Sequence, residues 1–352
     1  MALRFSIHDI SVDDDTLSRK CTVRLGSSGD VKFQTPMKTG VDGVTELPVY
    51  EAYRKIKPLT IRKCLQSENY DRKVGLDIQK RCRGTFNILT MEYDSKEETP
   101  SEEMVVALSD IQYNHTDVIT TPSWFELITE KNSVDTELYL RLTDIFVKAA
   151  STRNHKPIVG TIPQSIPPEK LKDVIKYYIE NDITSFLIDS HNRILVGGMW
   201  VRTLHRSLED YDIENECFLY SMNAFQGIAK KNEMMIEAKD FVGFADGMDV
   251  IGGKHTGKFF GRNYDDEDTG TIARKFDPIT YNYEKMQCTF EEKEEINNES
   301  VRVQDNEFSN IREMINEGKI KDLLKEKKIS KQTLNSILSS KTANSTTLDD
   351  FI

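Results

Sequence analysis

Through the middle of the chain, short apolar runs rich in β-branched residues alternate with stretches whose apolar positions recur every three or four residues. The runs are DVITT (117–121), PIVGT (157–161), SFLID (185–189) and CFLYS (217–221). Between them, ELYLRLTDIFVKAA (137–150) and EKLKDVIKYYIEN (169–181) predict helices that pack by one face, the second opened by Pro167 and Pro168. AKDFVGFADGMDVIGG (238–253) reads as a short helix, a glycine break and a strand. Alternation of this kind predicts βα units sharing a parallel sheet, hence an α/β fold closed as a TIM (β/α)8 barrel, with a doubly wound open sheet as the structural competitor.

The flanks follow other rules. CTVRLG, SSGD and VKFQTP predict an N-terminal β-hairpin, and EYDSKEETPS (92–101) a polar loop. After about residue 290 the composition turns charged and asparagine-rich, while 307–328 is helical in pattern, with Ile311, Ile315, Ile320, Leu323 and Leu324 apolar. The expected organisation is a barrel with its N-terminal β region over 1–290, a charged linker over 291–306, a C-terminal helical extension over 307–340 and a flexible polar tail over 341–352.

Composition narrows the classes. No apolar run approaches the roughly 20 residues of a membrane span, and the N-terminus shows no secretory signal, so a cytoplasmic protein is expected. Five scattered cysteines without zinc spacing read as buried free thiols. A net charge of −11 confines any nucleic-acid contact to a patch. The segment 54–83 supplies one candidate, net +7: Arg54, Lys55, Lys57, Arg62, Lys63, Arg72, Lys73, Lys80, Arg81 and Arg83 against Glu68, Asp71 and Asp77. A solvated helical face is the plainer reading of the same run.

Four segments, in order, resemble the tRNA-guanine transglycosylase superfamily: VRLGSSGDVKFQTPMKTG, SEEMVVALSDIQYNHTDVI, KPIVGTIPQSIPPEKLKDVIKYYIENDITSFLID and NIREMINEGKIKDLL. The resemblance spans about two thirds of the chain. It implies a TIM barrel that exchanges a guanine base in nucleic acid for a 7-deazaguanine through a carboxylate nucleophile. Two places depart from the family. Thr121, Pro122 and Ser123 stand where its acidic pair follows the strand that begins at Asp117. In GMDVIGG, Asp249 fills the place of an earlier aspartate and Gly252 that of the nucleophile. Of the family's four zinc ligands only Cys288 is available, so no cofactor and no metal are expected.

Base exchange needs one carboxylate to attack the anomeric carbon and a second group to carry protons. Barrel sites gather at the carboxyl ends of strands, which selects Asp249 as nucleophile, Asp246 next, and Asp189 as base contact or proton carrier, with His191 and Arg193 in its loop. Asn223, Lys254 and His255, together with Asp117 and Ser123, complete the expected substrate contacts. For each aspartate, capping of the following helix is the plain alternative. GGMW (197–200) and IGGKHTGK (251–258) read either as phosphate-binding backbone or as plain turns. Trp200, Arg202, His205 and Arg206 read either as a stacking platform or as helix surface.

The last residues, STTLDDFI, resemble the docking peptide by which replication proteins bind the sliding clamp, with Leu348, Phe351 and Ile352 as plugs. Such a partner implies action on DNA, with the base extruded from its stack. The partners implied are therefore DNA or tRNA, the clamp, and a second subunit in a homo- or hetero-dimer. A catalytically silent barrel that binds nucleic acid, and an unrelated barrel enzyme on a small metabolite, are the competing readings.

Overall fold

The computed structural model describes residues 4–25, 31–129, 133–153, 156–227, 234–255 and 271–342. The chain opens with β1 (Phe5–Val12), β2 (Arg19–Leu25) and β3 (Val31–Thr35), an antiparallel sheet in that order. It continues through β4 (Met37–Lys38), β5 (Tyr50–Ile56), α1 (Pro58–Gln66), α2 (Glu68–Arg81) and β6 (Asn87–Tyr93). Next come α3 (Glu102–His115), β7 (Val118–Thr120), α4 (Phe125–Ile128), α5 (Thr136–Ser151), β8 (Ile158–Pro163), α6 (Pro168–Glu180) and β9 (Ser185–Asp189). Then follow α7 (Gly198–Asp210), β10 (Phe218–Met222), β11 (Met235–Glu237), a 3-10 turn (Phe241–Asp246) and β12 (Val250–Ile251). The described chain ends with β13 (Thr271–Asp277), β14 (Asn282–Cys288), α8 (Phe290–Asn316), α9 (Ile320–Glu326) and α10 (Lys331–Thr342).

Eight strands form one curled, parallel sheet in the order β4-β12-β10-β9-β8-β7-β6-β5, flanked by helices. The predicted α/β alternation is therefore present. At the two edges, Gly40, just past β4, forms a single parallel bridge to Tyr50 at the start of β5. Its amide donates to Val49 O at 2.8 Å, and Glu51 N donates to Gly40 O at 2.9 Å.

Strand side chains alternate between two faces, and each face buries a different core. Leu89, Met91, Ile119, Ile162, Phe186, Ile188 and Leu219 point outward under the helices. Inside the curl, Ile88, Val118, Val159, Leu187, Phe218 and Val250 meet Phe5, Cys21, Val23 and Phe33 of the N-terminal sheet. Phe5 stacks on Phe218 with ring centroids 4.9 Å apart. The hairpin expected from CTVRLG and VKFQTP thus packs against this inner apolar layer.

Local sequence explains the helix starts. Ser67, Ser101 and Asp135 accept amides as N-caps of α2, α3 and α5, and Thr289 with Glu292 forms a capping box on α8. That box corrects one expectation. Residues 291–306 are not a linker but the first half of the 27-residue α8, whose inner side buries Ser300, Gln304, Phe308, Ile311 and Ile315. The C-terminal extension is helical as α9 and α10. Among the described residues no helix is long and apolar enough to cross a membrane. All five cysteines are free, with Cys21, Cys64 and Cys217 buried.

Candidate active site at the carboxyl ends of the strands

Of the three aspartates expected to do the chemistry, the structure places one at a strand's carboxyl end. Asp189 closes β9, fully buried. Its Oδ1 accepts from Asn223 Nδ2 at 2.9 Å and His191 N at 3.2 Å, and its Oδ2 accepts from Ser123 Oγ at 2.8 Å. Four sequence-selected residues, Asp189, Ser123, Asn223 and His191, therefore converge. His191, Asn192 and Asn223 all adopt left-handed backbone conformations, with φ of 43°, 64° and 57°. Non-glycine residues with such backbone concentrate where a loop must aim a side chain.

Asp249 is elsewhere. It precedes β12, aligned with Leu219, three residues before the Met222 that pairs with Asp189. At about 3.3 Å per residue that is roughly 10 Å along the strands. Both its oxygens are filled: Oδ1 accepts from Arg19 Nε at 2.9 Å and Thr35 Oγ1 at 3.3 Å, and Oδ2 accepts from Leu219 N at 2.8 Å and pairs with Arg19 Nη2. Asp249 thus ties the N-terminal hairpin to the sheet, and it lies at the amino end of β12, not at the carboxyl end where it is expected. Asp246 is not at a strand's carboxyl end either. It ends the buried 3-10 turn, where its Oδ2 accepts from Gly197 N at 2.8 Å and burial pushes its pKa up to about 7. Asp117 lies at the opposite end of β7, exposed, where it accepts from Asn87 N at 2.7 Å.

Glycine and aromatic candidates resolve as well. Gly197 packs against Ser336 of α10, so GGMW is a packing turn. Trp200 is buried and donates from Nε1 to Ile166 O at 3.0 Å, and His205 is buried at Asp246 O, so neither is a stacking platform. Arg193 donates to Gln164 O at 3.4 Å. It borders an open groove of ≈ 500 Å³ with Ile194, Ser165 and Trp200, beside the Asp189 loop. Lys254 lies over the Phe225 ring.

His255 joins the site through Asn223 and through two residues the sequence did not single out, Tyr53 and Glu51. Its amide donates to Asn223 Oδ1 at 2.7 Å, its ring stacks on Tyr53, and its Nε2 pairs with Glu51 Oε1. Glu51 Oε1 also accepts from Gly253 N at 2.8 Å, while the Lys38 ammonium donates to Gly252 O at 2.6 Å. Burial holds Lys38 below the usual lysine range, although Asp240, Glu51 and Asp305 oppose it. Asn223 therefore binds Asp189 through its Nδ2 and the His255 amide through its Oδ1, and His255 in turn pairs with Glu51.

A third carboxylate, Glu92, ends the same inward face of β6. Lys55, opposite it in register on β5, donates to its Oε1 at 2.7 Å. Burial pushes Glu92 up to about 8, reinforced by the charges of Asp189, Glu126 and Asp94. Among the described residues, Thr39 Oγ1, Glu51 Oε2, Tyr53 Oη, Thr90 Oγ1, Glu92 Oε2 and Tyr220 Oη are buried without a hydrogen-bond partner. Buried polar atoms are nearly always paired, so these six atoms on one inward face call for partners from outside the described residues, water or a polar ligand.

The basic segment divides. Arg54 and Arg81 pair with Asp77, Arg62 with Glu98, Lys55 with Glu92, and Lys63 lies over Tyr70. Arg83 donates to Lys80 O, and Arg72, Lys73 and Lys80 are exposed on α2. Lys258 and the tail plugs Leu348, Phe351 and Ile352 lie outside the described residues. No protein-family model matches the chain, and no curated protein matches it significantly.

Proposed function

We propose that the chain is a base-exchanging pentosyltransferase on nucleic acid, with its nucleophilic carboxylate moved from the β12 loop to Glu51 on β5. One observation carries the reading. A side chain built on Gly252, the nucleophile's place in the resembling family, would run into Glu51 Oε2, the carboxylate oxygen that has no partner among the described residues. Glu51 thus offers its free oxygen where that family's aspartate would project, and its other oxygen is held by His255 and Gly253 N.

In this mechanism Glu51 Oε2 attacks the anomeric carbon as the bond to the leaving base breaks, and the bond's electron pair departs with the base. A covalent pentosyl ester remains. Asp189, fixed by Ser123 and Asn223, takes a proton from the entering base, whose nitrogen then displaces Glu51 and restores the carboxylate. The unpartnered Tyr53, Thr90 and Tyr220 hydroxyls supply donors and acceptors for the base. The same reading takes the curled sheet as a TIM barrel closed at Gly40–Tyr50. It assigns Arg72, Lys73 and Lys80 of α2 to the phosphate backbone, and the tail's Leu348, Phe351 and Ile352 to a sliding clamp.

The test is incorporation of labelled guanine, or a 7-deazaguanine precursor, into DNA and into tRNA. Wild-type protein is expected to label one of the two polymers, and Glu51→Gln and Asp189→Asn each to lose at least about a thousandfold. Failure of the wild type on both polymers overturns the reading.

A further inference from the structure

Beside the base-exchange site lies a second cluster that the mechanism does not use. Glu92 at the end of β6, Glu126 in α4 and His191 after β9 bring one ligand atom each to within 4.8 Å of one another. We propose that these three side chains hold a divalent first-row transition ion.

Which oxygens are already occupied supports the assignment. Two lysines take the outer oxygens: Lys55 Nζ sits 2.7 Å from Glu92 Oε1 and Lys96 Nζ 3.3 Å from Glu126 Oε2. Glu92 Oε2, on a side chain with no exposure, has no partner among the described residues. Glu126 Oε1 lies 3.8 Å from His191 Nε2, too far for a hydrogen bond. Two donors bound at about 2.0–2.2 Å to one zinc ion would stand less than about 4.4 Å apart, so the spacing suits ligands flanking a cation. The His191 ring is held against Phe125, with centroids 3.3 Å apart, on a backbone of left-handed φ. Glu92 Oε2 is buried without a partner among the described residues, and a cation placed between the three side chains would meet that oxygen together with a Glu126 oxygen and the His191 ring.

The donor set selects the ion. One imidazole and two carboxylates with no thiolate suit Zn²⁺ or Mn²⁺ over a soft ion, and three protein ligands leave positions for water or a substrate oxygen. The inference stands apart from base exchange, since it uses neither Glu51 nor Asp189.

Titration calorimetry of the full chain with ZnCl₂ and with MnCl₂ tests it. One ion per chain is expected for at least one of the two metals, with affinity reduced at least tenfold in His191→Ala and again in Glu126→Gln. Glu126 is a partly exposed side chain whose amide keeps its shape, so that variant reports on the metal even if His191→Ala melts early. Affinity in His255→Ala should equal that of wild type. No binding by wild type, unchanged affinity in both ligand variants, or a loss confined to His255→Ala would each overturn the site.

Discussion

Two buried carboxylates at different levels of the same sheet are treated in opposite ways. Asp249, at the amino end of β12, has both oxygens filled by Arg19, Thr35 and the Leu219 amide. Glu51, just beyond the other end of that strand, keeps one oxygen without a partner and leans on a histidine with the other. A fully satisfied ion pair is an element of the fold, because its partners leave it nothing to react with. A partly satisfied carboxylate lowers stability unless something else meets it, and the proposed nucleophile is such a group.

The contrast can be broken by stability first. Removing one member of a buried pair leaves the other charged and uncompensated, which costs about 3–5 kcal/mol. Asp249→Ala should therefore lower unfolding free energy by that amount in denaturant titration, whereas Glu51→Gln should leave stability unchanged or raise it. Equal losses in the two variants would erase the distinction.

A pH series sharpens it. Asp246, raised to about 7 by burial, stays protonated in the fold where the unfolded chain ionises, so it removes stability as pH climbs from about 4 to 7. His205, pushed down to about 4 chiefly by burial, acts in the opposite sense and removes stability as pH falls from about 6.5 to 4. Relative to wild type, Asp246→Asn should gain about 4 kcal/mol at pH 7 over its value at pH 4, and His205→Gln about 3 kcal/mol at pH 4 over its value at pH 7. Melting curves from pH 4 to 8 check both signs.

The smallest effect concerns the surface. Replacing Arg72, Lys73 and Lys80 together by glutamate should weaken nucleic-acid binding by about tenfold or more and flatten its salt dependence by about three charges, measured by fluorescence anisotropy. An unchanged salt slope places the polymer on another face.

How far the sequence disclosed all this depends on which rule governs each segment. Strands β7 to β10 were legible because their residues are apolar on both faces, as a parallel sheet between helices and an inner core demands. β5 and β6 were not, since YEAYRKI and NILTMEY place Glu51, Tyr53, Lys55, Thr90 and Glu92 on the inward face. The polar residues that make the site are those that disguise its strands. The rule that barrel sites gather after strands predicts Asp189 at the carboxyl end of β9, where it lies, and predicts the same of Asp249, which instead precedes the two-residue β12. The charged opening of α8 concealed a helix that buries only Ser300 and Gln304 ahead of Phe308, although its Thr289–Glu292 capping signal was present in the sequence.

The relocated carboxylate is tested most directly by quenching a single-turnover reaction with denaturant and mapping the modified peptide by mass spectrometry. A pentosyl adduct on the peptide that contains Glu51, absent in Glu51→Gln, is the predicted result. An adduct on Asp189 or Asp249, or turnover by Glu51→Gln at the wild-type rate, would contradict it.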